Sequence, residues 1–178
     1  MKRIFMAILS CIMVSSLYSQ QISRFLDFRL GQSVEEVRNI IALKYSSTEW
    51  NGNVCKILNV TLANEPFNQL TMEFYGGKLS KATFLNSPSA IITSSQFDYN
   101  QKMESQASIQ QQRIERLYSQ YRAKYGKEKM ATDSSIIWKD IYGNSINLYA
   151  TINNNNSDGL FFGNVNVVIT YSLLQDDF

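Results

Sequence analysis

Apolar and polar positions along the chain fall twice into the same order: a helical spacing, then an alternation that turns at glycine. In the first stretch Val34, Val37, Ile40, Ile41 and Tyr45 recur at the spacing of one helix face. Ser33-Val34-Glu35-Glu36 opens it as a capping box, in which the serine hydroxyl accepts from the Glu36 amide and the Glu36 carboxylate reaches back. Both glutamates suit the positive end of the helix dipole, which accounts for them without catalysis. Strands are predicted next. Leu58, Val60 and Leu62 alternate within Val54 to Leu62. Leu70, Met72 and Phe74 alternate with Thr71, Glu73 and Tyr75, and Leu79 to Leu85 returns after Gly76-Gly77. A three-residue loop, Gly76-Gly77-Lys78, pairs Tyr75 with Leu79 and Glu73 with Lys81. It gathers Leu70, Met72, Phe74, Ala82 and Phe84 on one face, with Ser80 as the polar member. Glu73 and Lys81 then form a cross-strand ion pair on the solvent side.

The second stretch starts with a helix from Ile109 to Tyr125. Ile114, Leu117, Tyr118, Tyr121 and Tyr125 lie on one of its faces, and Gly126 stops it. The tyrosines give the buried face polar tips that need partners. Ile136 and Trp138 lead to a turn around Gly143-Asn144, and Ile146, Leu148 and Ala150 return. Asn153 to Gly159 reads as a long turn. Val165, Val167, Ile169, Tyr171 and Leu173 then make the clearest strand, with one face buried and the other mostly wet. Between the two stretches, residues 86–108 are polar and rich in serine and glutamine. They read as a loop followed by a crossover or an early extension of the second helix. Before the first stretch, Leu26, Phe28 and Leu30 alternate with Asp27 and Arg29 as a short edge strand. The predicted fold is α+β: an antiparallel sheet packed against two main helices, with a tandem helix-plus-hairpin repeat in halves 30–85 and 109–174.

The N-terminus changes what the charge means. Lys2 and Arg3, the apolar run Ile4 to Val14 and the small and polar residues up to Ser19 have the grammar of a secretory signal, residues 1–19. The run is too short to span a bilayer. Ile8-Leu9-Ser10-Cys11 offers the competing reading of a lipid-anchored Cys11, the one route by which the protein would hold to a membrane. Lys2 and Arg3 alone account for the formal charge of +2, so from residue 20 onward the chain is neutral. That argues against nucleic acid as a partner. Residues 20–178 are then a single α+β domain, exported to the periplasm or cell surface, with Cys55 as the one remaining cysteine and hence no internal disulfide.

There is no histidine, which excludes Ser-His-Asp triads, Cys-His dyads and histidine zinc sites. Cys55 lacks a base and reads as an inert thiol. Asn153 to Gly159 has one acid, Asp158, too few for a calcium loop. Arg113, Arg116, Arg122, Lys124, Lys127 and Lys129 read as the solvated face of the second helix. No catalytic, metal or cofactor residue is predicted. Aromatics are more numerous than a scaffold needs, and Trp50, Tyr75, Trp138 and Tyr149 are the candidates for binding a partner. Glu73, Asp133 and Asp140 keep open an alternative, a carboxylate-dependent hydrolase acting on surface glycans.

Leu30-Gly31-Gln32-Ser33-Val34-Glu35-Glu36-Val37, followed by Phe74-Tyr75-Gly76-Gly77-Lys78-Leu79, resembles the β-lactamase-inhibitor-like proteins and the small outer-membrane-assembly lipoproteins. In those exported proteins a Leu-Gly-x-Ser/Thr helix start precedes an antiparallel sheet. Trp138-Lys139-Asp140-Ile141-Tyr142-Gly143-Asn144 is similar to a hairpin of other exported bacterial proteins. The resemblance covers mainly residues 30–85 and carries over no functional residue. It implies protein–protein interaction at the cell envelope, so the expected function is a non-enzymatic binding or assembly module acting through a sheet face on a protein partner.

Overall fold

The computed structural model describes residues 22–132 and 134–173. The signal-like residues 1–19 with Cys11, and Asp133, lie outside the described residues. In chain order the elements are β1 (Arg24–Phe25), β2 (Phe28–Arg29), α1 (Val34–Lys44), β3 (Thr48–Asn51), β4 (Val54–Leu62), β5 (Glu65–Tyr75), β6 (Lys78–Asn86) and β7 (Ile91–Thr93). They continue with α2 (Gln96–Tyr125), β8 (Met130–Ala131), β9 (Ser135–Lys139), β10 (Ser145–Ser157) and β11 (Leu160–Ser172). β1 and β2 form a small hairpin. The other strands form one antiparallel sheet in the order β3-β4-β5-β6-β11-β10-β9-β8, with β7 also on β11. The architecture is thus α+β, a large antiparallel sheet with two helices.

The helices lie on one face of this sheet. The side chains of that face, among them Cys55, Ile57, Leu70, Met72, Phe84, Ile146, Leu148, Ile169 and Tyr171, share one buried cluster with Val37 and Ile41 of α1 and Leu117 and Tyr121 of α2. α1 begins as its sequence requires. Ser33 Oγ accepts from the Glu36 amide at 3.2 Å, and Glu36 Oε2 accepts from the Ser33 amide at 2.8 Å. The Ser33 amide, followed by the Ser33 hydroxyl at 2.9 Å, donates to the Glu36 carboxyl and holds it below its ordinary value. The helix start is fastened to the β5–β6 turn by Val34 N–H to Gly77 O and by an exchange between residues 31–32 and Leu79.

Four expectations need correction. The β5–β6 loop has two residues: Tyr75 pairs with Lys78 and Phe74 with Leu79, and Ser80 then bulges so that Glu73 still faces Lys81. The bulge buries both Phe74 and Leu79 and keeps the Glu73–Lys81 ion pair at 2.8 Å. Asn153 to Ser157 are strand, and the turn is Asp158-Gly159 alone, with φ of 53° and 74°. An Asp-Gly pair suits a turn that needs both central residues left-handed, and its twist lets the strands pair right up to it. At 24–29 there is a tight hairpin turning at Leu26 (φ 48°), which buries Phe25 and Phe28 and leaves Leu26 in solvent. In β4 the buried set is Cys55, Ile57, Val60 and Leu62, with Leu58 outward. Asn59 takes φ 55° and switches the phase of the side chains.

α2 takes up the early-extension alternative and starts at Gln96, capped by Ser95. Its polar first half docks by hydrogen bonds. β7 pairs β11 at 161–163 and β6 pairs it at 167–172, which leaves a gap. There the Val165 N–H donates to Gln106 Oε1 at 2.7 Å, so a glutamine side chain replaces the missing strand partner. Next to the gap, where β7 pairs with β11, the Tyr99 hydroxyl donates to Phe162 O at 3.1 Å.

Candidate functional site: the open face of the sheet

No helix covers the second face of the sheet among the described residues. Its side chains follow from the strand registers. One row crosses the sheet as Glu49, Lys56, Thr71, Thr83, Thr170, Asn147, Ile137 and Met130. The neighbouring row is Leu58, Gln69, Leu85, Val168, Tyr149 and Ser135, more apolar than the first. On the other side lie Val54, Glu73, Lys81, Ser172, Ser145 and Lys139. Thr83 and Thr170 meet at the junction of β6 and β11 with hydroxyls 3.5 Å apart, and Ser145 and Ser172 pair at 2.8 Å. β-Branched threonines fit the pleat and present a methyl and a hydroxyl each. The middle of the face is therefore uncharged, with the Glu73–Lys81 pair along one side.

The four predicted partner-binding residues are divided between the faces. Tyr149 and Tyr75 belong to the open face, Tyr149 half-buried in its apolar row and Tyr75 exposed near the β5–β6 turn. They stand roughly 25 Å apart by strand spacing and rise. Trp50 is on the helix face, stacked on Phe74 with the Arg38 guanidinium 4.2 Å from its ring. Trp138 is core at 1 % exposure, packed against Tyr118 and Tyr121, and its Nε1 donates to Gly126 O at 3.1 Å. The two tryptophans serve packing. The threonine row and Leu58 and Leu85 carry the open face instead, with Val168 buried among its neighbours in the apolar row. Sequence alone could not have found them, because which residues line up across the sheet depends on the β6–β11 pairing between distant segments.

The acids do not form a catalytic pair among the described residues. Asp140 is buried, and its oxygens accept from the Ile22, Tyr142 and Asn144 amides and from Asn144 Nδ2 at 2.8–3.0 Å. It closes the β9–β10 turn and holds the backbone at Ile22, two residues before β1. Glu73 lies in a row that ends at Lys139 four strands away, roughly 19 Å at the usual strand spacing. Glycosidase carboxyls stand about 5–10 Å apart.

Two of the arginines read as a solvated face grip a buried acid: Arg113 is itself largely buried, and Arg116 stays half-exposed. Arg113 Nε and Arg116 Nε hold the buried Glu65 carboxylate at 3.1 and 2.5 Å. The Arg116 hydrogen bond, followed by the charges of both arginines, keeps that carboxyl below its ordinary value against the opposing effect of burial. Cys55 is fully buried, and burial pushes its thiol up to about 11, which suits an inert group. The tyrosine tips find each other: Tyr121 and Tyr171 hydroxyls are 2.6 Å apart, and burial raises both.

Compared with family models, curated proteins and solved structures, the chain matches none. Among the described residues no three Cys, Asp or Glu side chains gather as a metal site, and no helix is long and apolar enough to cross a membrane.

Proposed function

We propose that the chain is an exported, non-enzymatic binding or assembly module that holds a protein partner on the open face of its sheet. The observation that carries this reading is the face itself. It is uncovered, spans eight strands and is neutral at its centre, with an apolar row beside a hydroxyl row. Mixed surfaces of this kind suit protein recognition, where apolar contact gives affinity and hydroxyls give register. The likeness of Leu30 to Val37 to the helix start of exported inhibitor-like and assembly proteins supports the same conclusion, and the signal-like first nineteen residues support export.

The tandem repeat belongs to this proposal. α1 precedes β3–β6 and α2 precedes β8–β11, and the strand order is the one expected when two four-stranded meanders pair through their last strands. The partner would then sit across the junction of two similar units.

The test uses the full chain immobilised against native envelope extract, with Thr83→Arg and Tyr149→Ala on the open face and Glu115→Ala on the outside of α2. A partner recovered by the wild type and Glu115→Ala, and reduced about ten-fold with Thr83→Arg, is the expected result. Equal recovery with all variants overturns the face as the site. Export is read from the mass of the mature N-terminus: a start at Gln20 is expected, and a lipidated Cys11 overturns the cleavage site.

A further inference from the structure

Beyond Tyr149 the outer edge of β10 has no strand beside it among the described residues. β9 pairs with Ser145 to Tyr149, while β10 runs on to Ser157. The direction of the backbone groups on that edge follows from the neighbouring ladder. Ile137 O accepts from Lys129 N on the β8 side, so Ile136 and Trp138 are the residues of β9 that bond to β10, through Leu148 and Ile146. Bonding direction alternates along a strand. The N–H and C=O groups of Ala150, Ile152, Asn154 and Asn156 therefore point to the bare edge.

Bare edges are usually blunted by charge, proline or shortness. β8 is two residues long and β3 carries Glu49, whereas Ala150 to Ser157 holds neither a charge nor a proline. Beside this edge, between it and α2, is a groove of about 400 Å³, lined by the apolar Ile114, Ile136, Leu148, Ala150 and Ile152 and, along its wall, by the hydroxyl and amide side chains of Gln111, Thr132, Ser134 and Ser135. No charged side chain lines it among the described residues, and Ile152 is 63 % exposed.

We propose that this edge and groove form a strand-addition site, which takes an extended, uncharged segment of another protein with apolar side chains at alternate positions. Backbone donors and acceptors spaced at every second residue are matched by a main chain in extended form. The side chains of such a strand on the helix side would fall into the groove against Ile114 and Ile136. A charge placed there would lose water and gain no counter-charge among the described residues that line the groove. A second copy pairing edge to edge would bring Asn154 and Asn156 to a groove that suits apolar side chains. The site adjoins the open face at Tyr149 and Ser135, which also line the groove, but it lies away from the threonine row, on the helix side and at the edge.

The probe is a capped, fluorescein-labelled heptapeptide of alternating threonine and valine, titrated into the full mature chain. Amide exchange at Ala150, Ile152 and Asn154 is expected to slow on saturation. Affinity by anisotropy is expected to fall about ten-fold in Ile152→Lys and in Asn154→Pro. The proline removes an outward N–H and leaves the bonds to β11 in place, so circular dichroism and the melting temperature check that the fold survives. Thr83→Arg, which would disable the open face, should bind the peptide as the wild type does. Unchanged exchange at the edge, or equal affinity in both edge variants, overturns the proposal. So does a sedimenting dimer whose edge amides are protected before peptide is added, since the occupant would then be a second copy.

Discussion

Asp140 shows how a candidate catalytic acid can be fully occupied by structure. Its four hydrogen bonds tie the β9–β10 turn to Ile22, and a carboxylate so surrounded has no lone pair aimed at a substrate. Asp140→Ala leaves buried amides without acceptors, at a cost of roughly 3 kcal/mol. For a chain of this size that lowers the melting temperature by about 6–12 °C. Glu65 gives a pH signature. Its carboxyl is held below the ordinary 4.5, so the stability from the Arg113–Glu65–Arg116 clamp is fully present above about pH 4.5 and is lost as pH falls through the lower folded value. Urea midpoints measured from pH 6 to pH 3 should fall more steeply in the wild type than in Glu65→Gln. Equal slopes would remove Glu65 as the cause. Cys55 should resist thiol reagents at pH 8 in the native state and react at once in denaturant, because its thiol is both buried and titrates near 11.

Among the elements, β11 carries the most constraint. A Cβ at Gly163 would collide with the Tyr99 hydroxyl and lie 2.8 Å from Asn153 O. Gly163→Ala is expected to lower stability by about 2 kcal/mol, and Tyr99→Phe in the same chain to recover part of it, read from paired denaturant midpoints. Elements with a strong local signal were legible in the sequence. The capping box places the start of α1, the tyrosine stripe places the second half of α2, and the face of β5 and β6 follows from alternation. What stayed hidden depends on distant partners. The Ser80 bulge allows two registers in one hairpin, and no pattern within 74–81 announces it. The asparagine run 153–156 has poor strand propensity and is strand because β11 lies beside it. The first half of α2 looks like linker because its docking is through Gln106 and Tyr99 rather than through an apolar stripe. Of the candidate site, the tyrosines of the open face were visible. The threonine row was not, since each threonine is a third of a row contributed by β5, β6 and β11.

At the scale of the molecule the β3–β6 side and the β8–β11 side are bound together three ways. β6 pairs with β11, Glu65 is gripped by α2, and Phe25 packs on both Phe84 and Tyr171. One tryptophan reports each side. Trp138→Phe leaves Trp50, and Trp50→Phe leaves Trp138. In each variant the fluorescence transition in urea is expected to coincide with its far-ultraviolet dichroism. Separate transitions in either variant would mean that the two sides unfold independently. The Thr83–Thr170 contact sits where the sides meet and also at the centre of the open face. Whatever binds there bridges the two sides, so by mass action its free energy of binding adds to the work of pulling β6 from β11. At a hundred times its dissociation constant a ligand contributes about 2.7 kcal/mol in this way. The partner would be cargo and staple at once, and a rise in melting temperature would be a way to recognise it before anything else about it is known.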